Sequence, residues 1–353
     1  VTEIRRALVA LRWPPDLRDA LAAELAPAAV DVVDRADARA FATALERADV
    51  AIIAGNADPR FLRAPNLRWL HCDHAGVDGY VPKELLERAI VTTSAGRSAP
   101  ALAEHAMYLM LALCQQAPRL ARAQRWRVWG IPGLEARRGL HGRRVCIIGT
   151  GHIGTELARR CRAFDMTVVG YRRRDTEADP AFHECFSSAR GDRLVDASAG
   201  ANVLVVAAGL NDHSRHLVGA EELSVLAPDA LLVNVGRGGV VDEAALVDAL
   251  RRGRLGGAGL DVVETEPLPV SSPLWNLPNV VITPHATPRM ADRDARSFDI
   301  VRENIARYRA GEPLRNALTL DDSLEPGSVT RPDAIQQRLT RVWSILNRGR
   351  RWS

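Results

Sequence analysis

Lysine is almost missing from this chain. Lys83 is the sole example in 353 residues, so the positive charge is carried by arginine. A lysine-rich nucleic-acid tract is thereby excluded. The balance of 47 basic against 43 acidic residues gives +4, spread too thinly for a nucleic-acid footprint. Aromatic residues make up only 5%, and no apolar run approaches the ~18 residues of a membrane span. The greasiest window, Ala99 to Cys114, contains Glu104 and His105. The opening VTEIRRALVALRWPPD has interspersed charges and too short an apolar run to be expected to act as a leader. Cysteine is scarce as well. Cys72, Cys114, Cys146, Cys161 and Cys185 are odd in number and scattered, with no Cys-x-x-Cys pair. A disulfide framework is excluded, and a reduced, cytoplasmic setting is expected. What remains is an ordinary globular composition, 47% hydrophobic and 25% charged, long enough for two domains.

Short apolar runs alternate with helical patterns along most of the chain. Ala7 to Leu11, Val50 to Gly55 and part of LRWLHCDHAGVDGY read as strands, and Asp16 to Leu25 reads as a helix ahead of Pro27. A long helix spans about Pro100 to Gln116, ended by Pro118. The alternation restarts near Arg143 with RRVCIIGTGHIG and continues through TVVGY, NVLVVAA, ALLVNVG, GGAGLDV and NVVITPH, before a last helix from about Arg289 to Ala310. Such alternation predicts α/β architecture with parallel sheets. Beyond about Leu320 the composition turns polar and Arg-rich, and residues 321–353 are expected to be a solvated extension.

Gly149-Thr-Gly151-His152-Ile153-Gly154 sits between an apolar run, Val145 to Ile148, and a helical pattern. A lone G-x-G-x-x-G is weak, but strand, turn and helix here supply the context of a dinucleotide site. Gly149 suits the tight turn, Gly151 the approach of a pyrophosphate, and Gly154 the close packing of helix on strand. The helix start, at His152 and Ile153, offers free N–H groups to phosphate. An acidic residue usually follows the second strand and holds the adenosine ribose. This chain has Arg172, Arg173 and Arg174 there, and Asp175 comes late. Arginines at that place favour a 2′-phosphate and hence NADP(H), with NAD(H) the second choice. A solvated basic loop is the plain alternative.

Three later segments place chemistry-bearing residues at the carboxyl ends of predicted parallel strands, where open α/β sheets bind ligands. VNVGRGGVVDEAALVDAL carries Arg237 after Val235 and Gly236, GGAGLDVVETEPLP carries Asp261 and Glu266, and NVVITPHAT carries His285. Singly these read as a surface arginine, a solvated glutamate and a capping histidine. Together they are what reduction of a 2-keto acid needs. His71-Cys72-Asp73-His74 looks like a metal cluster, but consecutive strand residues face opposite ways and the spacing fits no zinc pattern, so no metal is expected.

As a set, AGVDGY, ALAEHAMYLMLAL, LHGRRVCIIGTGHIG, VNVGRGGVVDEAAL, GLDVVETEPLP, PLWNLPNVVITPHAT and GEPLRNAL resemble the D-isomer-specific 2-hydroxyacid dehydrogenase family, over roughly residues 45 to 320. The resemblance implies two Rossmann-like doubly wound domains. Residues 1–98, completed by 287–320, would form a discontinuous substrate domain around an inserted dinucleotide-binding domain of 99–286, with the active site in the cleft between them. It implies a D-2-hydroxyacid dehydrogenase acting as a 2-keto acid reductase of the glyoxylate or hydroxypyruvate type. His285 would be the acid/base, Glu266 its partner, and Arg237 the group on the substrate carboxylate and carbonyl. Backbone N–H groups near Gly76 and Val77 would hold the carboxylate, Asp261 would lie beside the nicotinamide, and Ala208 and Gly209 would pass over the cofactor. The usual proline of that last loop is missing, and Ser214 stands where threonine is usual. After His285 the chain reads Ala-Thr-Pro-Arg289, where Arg289 either adds charge to the pocket or lies on the surface. The long helix around Glu104 and His105 would pack in a homodimer, and no nucleic acid or membrane is expected as a partner. Competing readings are an NAD-dependent enzyme for a larger acid such as phosphoglycerate, phosphite oxidation, and, in another class, a dinucleotide-sensing corepressor. Formate oxidation is disfavoured, because formate dehydrogenases of that superfamily lack the Glu266 equivalent.

Overall fold

The computed structural model describes residues 2–74, 81–286 and 290–320. They form two compact units. One holds the residues up to Ala99 and those beyond 289, and the other the residues from Pro100 to Ala286.

The first unit contains strands β1 (Arg6–Ala10), β2 (Ala29–Val32), β3 (Val50–Ala54), β4 (Trp69–Asp73) and β5 (Ile90–Thr93), joined through helices α1 (Pro15–Leu25), α2 (Ala38–Arg47) and α3 (Lys83–Arg88). All pairings are parallel, in the order β2-β1-β3-β4-β5. Alternation along each strand divides the core in two. Leu8, Ala10, Ala51 and Ile53 pack with Phe41, Leu45 and Phe61 on one face. Ala7, Val9, Val50 and Ile52 pack with Leu21, Leu25 and Trp69 on the other. Each fully buried Leu or Ile contributes about 1.5–3 kcal/mol.

The second unit starts at the second residue of α4 (Ala99–Cys114) and continues with α5 (Ala117–Arg125). Pro118, expected only to stop the first of these helices, lies in the opening turn of the second, where its missing N–H costs no hydrogen bond. Strands β6 (Arg144–Ile148), β7 (Thr167–Arg172), β8 (Glu184–Ser187), β9 (Val203–Val206), β10 (Ala230–Asn234), β11 (Leu255–Leu260) and β12 (Val280–Ile282) follow. Their connections include α6 (His152–Ala163), α7 (Leu194–Ser198), α8 (Ala220–Ser224) and α9 (Glu243–Arg251). The parallel sheet runs β12-β11-β10-β9-β6-β7-β8. The order reverses between β6 and β9, which opens a crevice at their carboxyl ends. Helix α10 (Arg293–Ala310) closes the list and packs in the first unit, with Val301, Ile305 and Tyr308 against the β1–β3 face. The fold class is therefore α/β with two Rossmann-like parallel sheets. All five cysteines are free thiols, four of them buried. Among the described residues no helix is long and apolar enough to cross a membrane.

Candidate active site

The turn between β6 and α6 is built by glycine. Gly149 has φ +95°, and a Cβ there would lie 3.0 Å from the backbone of Ala207 and Ala208. A Cβ on Gly154 would lie 1.9 Å from the Gly149 carbonyl oxygen, so any side chain would pry helix from strand. Gly151 caps α6 with no side-chain hydrogen bond, and nothing lies within 4 Å of a Cβ placed on it. The space where a side chain would project is open, and the first N–H groups of α6, at His152 and Ile153, border it. This cradle fits a pyrophosphate.

Neighbouring strand ends complete one rim. Gly236, after β10, approaches β9 so closely that its Cβ would lie 2.5 Å from the Ala208 oxygen. Beyond Gly209, the Ser214 hydroxyl donates to the Gly209 carbonyl at 2.8 Å and accepts from Asn211 N at 2.8 Å. The serine thus closes the turn that lacks the proline. Arg172 ends β7 with its guanidinium folded back onto its own loop, donating to the carbonyls of Thr176 and Glu177. Its side chain is only 10% exposed. Arg173 is half-buried and its carbonyl accepts from the Ser187 hydroxyl, while Arg174 is exposed.

Arg237, Glu266 and His285 come together in the same unit. His285 sits in the left-handed region, φ +47°, with its N–H shared between the carbonyls of Asp261 (2.8 Å) and Thr283 (3.0 Å). Its ring Nδ1 meets Glu266 Oε2 at 2.7 Å. Glu266 is itself held by Val263 N, which donates to Oε1 at 3.2 Å. The hydrogen bond to Glu266 holds His285 above the ordinary imidazole range, while partial burial and the positive charge of Arg237 oppose it. The ring is 38% exposed, so Nε2 remains to serve a ligand.

Sequence reasoning missed two supports of Arg237. Buried Asn234 donates from Nδ2 to the Arg237 carbonyl (3.1 Å) and accepts Gly236 N at Oδ1 (3.1 Å). A lone amide at the end of the apolar run ALLVN is the signal that marks it. Gly238 lies flush against the loop bearing Glu266, since a Cβ would sit 1.8 Å from the Val263 oxygen. Asp261, 2% exposed, accepts Ala286 N (3.2 Å) and the Thr283 hydroxyl (2.6 Å) at Oδ1. Gly76, Val77, Arg289 and the 321–353 extension lie outside the described residues.

A model of the D-isomer specific 2-hydroxyacid dehydrogenase NAD binding domain matches residues 107–287. The chain belongs to the D-isomer-specific 2-hydroxyacid dehydrogenase family. Members of this family are NAD(P)-dependent oxidoreductases, and the chain is related to the glyoxylate and hydroxypyruvate reductases among them. It is 34% identical to a glyoxylate reductase of Korarchaeum cryptofilum over 71% of this chain and 76% of that one. It is also 34% identical to a D-3-phosphoglycerate dehydrogenase of Archaeoglobus fulgidus, over 74% of this chain. The match spans only about half (49%) of that longer protein. Among solved structures, a D-isomer specific 2-hydroxyacid dehydrogenase from Xanthobacter autotrophicus Py2, in complex with NADPH and MES, superposes with a TM-score of 0.73 at 30% identity. That likeness covers 90% of this chain and 99% of the other.

Proposed function

We propose that this protein is an NADP(H)-preferring reductase that interconverts a small 2-keto acid and the D-2-hydroxy acid. The observation that carries the reading is the 2.7 Å contact of His285 Nδ1 with Glu266, beside a guanidinium whose charge reaches the same ring. The reduced nicotinamide supplies the hydride when bound. Everything else falls to this chain. Arg237 pairs its planar fork with the substrate carboxylate and draws on the carbonyl oxygen. His285, protonated, passes its Nε2 proton to that oxygen, and takes it back in the oxidative direction. Glu266 keeps Nδ1–H engaged, fixes the ring and favours the imidazolium.

The NADP(H) preference is supported by the arginines that follow β7 in place of an acidic residue, and by the NADPH present in the Xanthobacter relative. Pairing with a second copy is supported by an apolar groove of about 550 Å³ along α4 and α6, lined by Met107, Tyr108, Leu111 and Phe164. Tyr108 is 53% exposed there.

Initial rates with NADPH and NADH against glyoxylate, hydroxypyruvate, pyruvate and phenylpyruvate test the reading. NADPH-preferring turnover of one of these acids is expected. NADH preference would overturn the role given to the arginines at the end of β7 but keep the reaction; Arg172 would have to release the carbonyls of Thr176 and Glu177 to reach a 2′-phosphate. Cofactor binding without turnover of any acid would overturn the reaction.

A further inference from the structure

His105 is an odd residue for its place. It lies on α4 among Ala103, Ala106, Leu109 and Met110, all buried against the sheet. The helix reaches the sheet closely because β11 reads LGGAGL. A Cβ on Gly259 would lie 2.9 Å from Leu109 Cβ, and one on Gly257 3.0 Å from Leu113 Cδ2. That approach brings the His105 Nε2 to 2.8 Å from the Thr283 hydroxyl and 3.5 Å from Asp261 Oδ1.

The direction of each hydrogen bond follows from the donors. The Asp261 carboxylate only accepts, so the Thr283 hydroxyl spends its proton on Oδ1 at 2.6 Å. The same hydroxyl must then accept from His105, which places the ring proton on Nε2. Burial holds His105 below the ordinary imidazole range, against the pull of Asp261, which agrees with a neutral ring that donates from Nε2. At the far end, Oδ1 of Asp261 accepts Ala286 N, and the Asp261 carbonyl accepts His285 N. Both bonds clamp the left-handed turn that aims the His285 ring. The chain from helix to acid/base is therefore continuous, His105 to Thr283 to Asp261 to the His285 turn.

We propose that His105 is a positioning residue of the reaction, orienting Asp261 through Thr283 and so fixing the turn that presents His285. The inference rests on the reductase reading above, and the test separates the two. His105→Ala, His105→Gln, Thr283→Val and the double variant His105→Ala/Thr283→Val would be compared with the unmodified chain. Without cofactor or substrate, nitrogen–proton correlation spectra of the histidine rings report tautomer and surroundings. The His105 ring should carry its proton on Nε2, and Thr283→Val and His105→Ala should each shift the His285 signals. Kinetically, each single variant should lose roughly 10–100-fold in kcat, the order that a small misplacement of reacting groups costs. NADPH affinity should stay within about twofold. The double variant should lose no more than the worse single one, because both interrupt one chain. His105→Gln, whose amide can donate from a similar place, should recover most of the rate. His285 signals and kcat unchanged in His105→Ala, or losses that simply multiply in the double variant, would overturn the proposal. If the unmodified chain reduces no 2-keto acid, the ring spectra decide alone. Shifts of His285 would sustain the positioning role while the reductase reading fell, and their absence would remove both.

Discussion

The two sheets of this chain present the same residue types at the same end and do different things with them. In the first unit, His71, Asp73 and Arg97 gather at the carboxyl ends of β4 and β5. In the second, His285, Glu266 and Arg237 gather beyond β10, β11 and β12. His71 is fully buried, its Nδ1 2.9 Å from the Thr92 hydroxyl and its Nε2 2.9 Å from that of Ser94. Ser94 donates onward to Asp73, and Arg97 lies 2.5 Å from the same carboxylate oxygen. Burial pushes His71 down to about 4, so the ring is neutral, and its single N–H is spent on the Ser94 hydroxyl, which gives its own proton to Asp73. His285 is partly open to solvent and held above its ordinary value. The first turns differ in the same sense. Beyond β1 of the first unit comes Trp13, 4% exposed and donating to Asp73 at 2.8 Å, where the second unit has the Gly149 turn and open space at Gly151. A histidine, a carboxylate and an arginine thus become a structural knot when hydroxyls occupy both ring nitrogens and an indole and the arginine bind the carboxylate. They become a reactive set when one ring nitrogen is left over.

The largest test of that contrast is a pair of substitutions. His285→Ala should reduce turnover by about 10²–10⁴-fold, the usual worth of positioned acid–base help, with NADPH affinity nearly unchanged. His71→Asn should leave kcat within a few-fold. Collapse of cofactor binding in His285→Ala would make that histidine structural and erase the distinction. His71 carries the next effect. The unfolded chain takes up its proton near the ordinary value of 6.5, whereas the folded chain resists until about 4. Stability should therefore fall as pH drops through that window, by roughly 3 kcal/mol in all. Urea melts at pH 7, 5.5 and 4.5 should show this acid limb, and it should flatten in His71→Asn. An equal slope in both proteins would mean that the buried ring is not what limits folding in acid. Gly154→Ala should come third. The added methyl would press on the Gly149 oxygen, a backbone atom that cannot swing aside. About 1–3 kcal/mol of stability should be lost, together with NADPH affinity measured by fluorescence titration. Unaltered affinity would place the cofactor elsewhere than the β6–α6 turn.

Much of this was legible in the residues because the signals were local. The glycine pattern of the β6–α6 turn, the apolar strand runs and the positions of Arg237, Glu266 and His285 after predicted strands all need only a few neighbours in sequence. The supports were not legible, because they join distant segments. Nothing near His105 announces Thr283, 178 residues away. Gly238 beneath Val263 likewise becomes meaningful only when β10 and β11 are paired, whereas Asn234, three residues from Arg237, was within reach of a local reading of its amide at the end of an apolar run. The arginine run after β7 shows the other kind of shortfall. Spacing from the glycine motif places Arg172 at the ribose position, and the structure folds its guanidinium onto the carbonyls of Thr176 and Glu177. That backbone path depends on the whole loop and not on the residue type. Helix α5 was hidden for a simpler reason, since a proline stops one helix and starts another with equal ease.

The smallest expected effect is also the sharpest probe of why His285 differs from His71. Glu266→Gln keeps an oxygen that can accept from Nδ1 and removes the negative charge. The hydrogen bond to the carboxylate is the foremost cause of the raised His285 value, so its replacement should let that value fall. In the reductive direction the protonated ring is the active form, and kcat/KM declines as pH rises through the His285 value of the free enzyme. The alkaline limb of the reduction profile should therefore move to lower pH in Glu266→Gln. The acid limb of the oxidation profile should move the same way, because both report one group. The stability that the raised value contributes is present below pH 6.5 and lost as pH rises through the folded value, opposite in sign to His71. It should be small, since both partners are more than a third exposed and water screens them. A reduction limb that stays in place while the maximal rate falls would show that Glu266 orients the ring without charging it. The difference between the two histidines would then lie in burial alone.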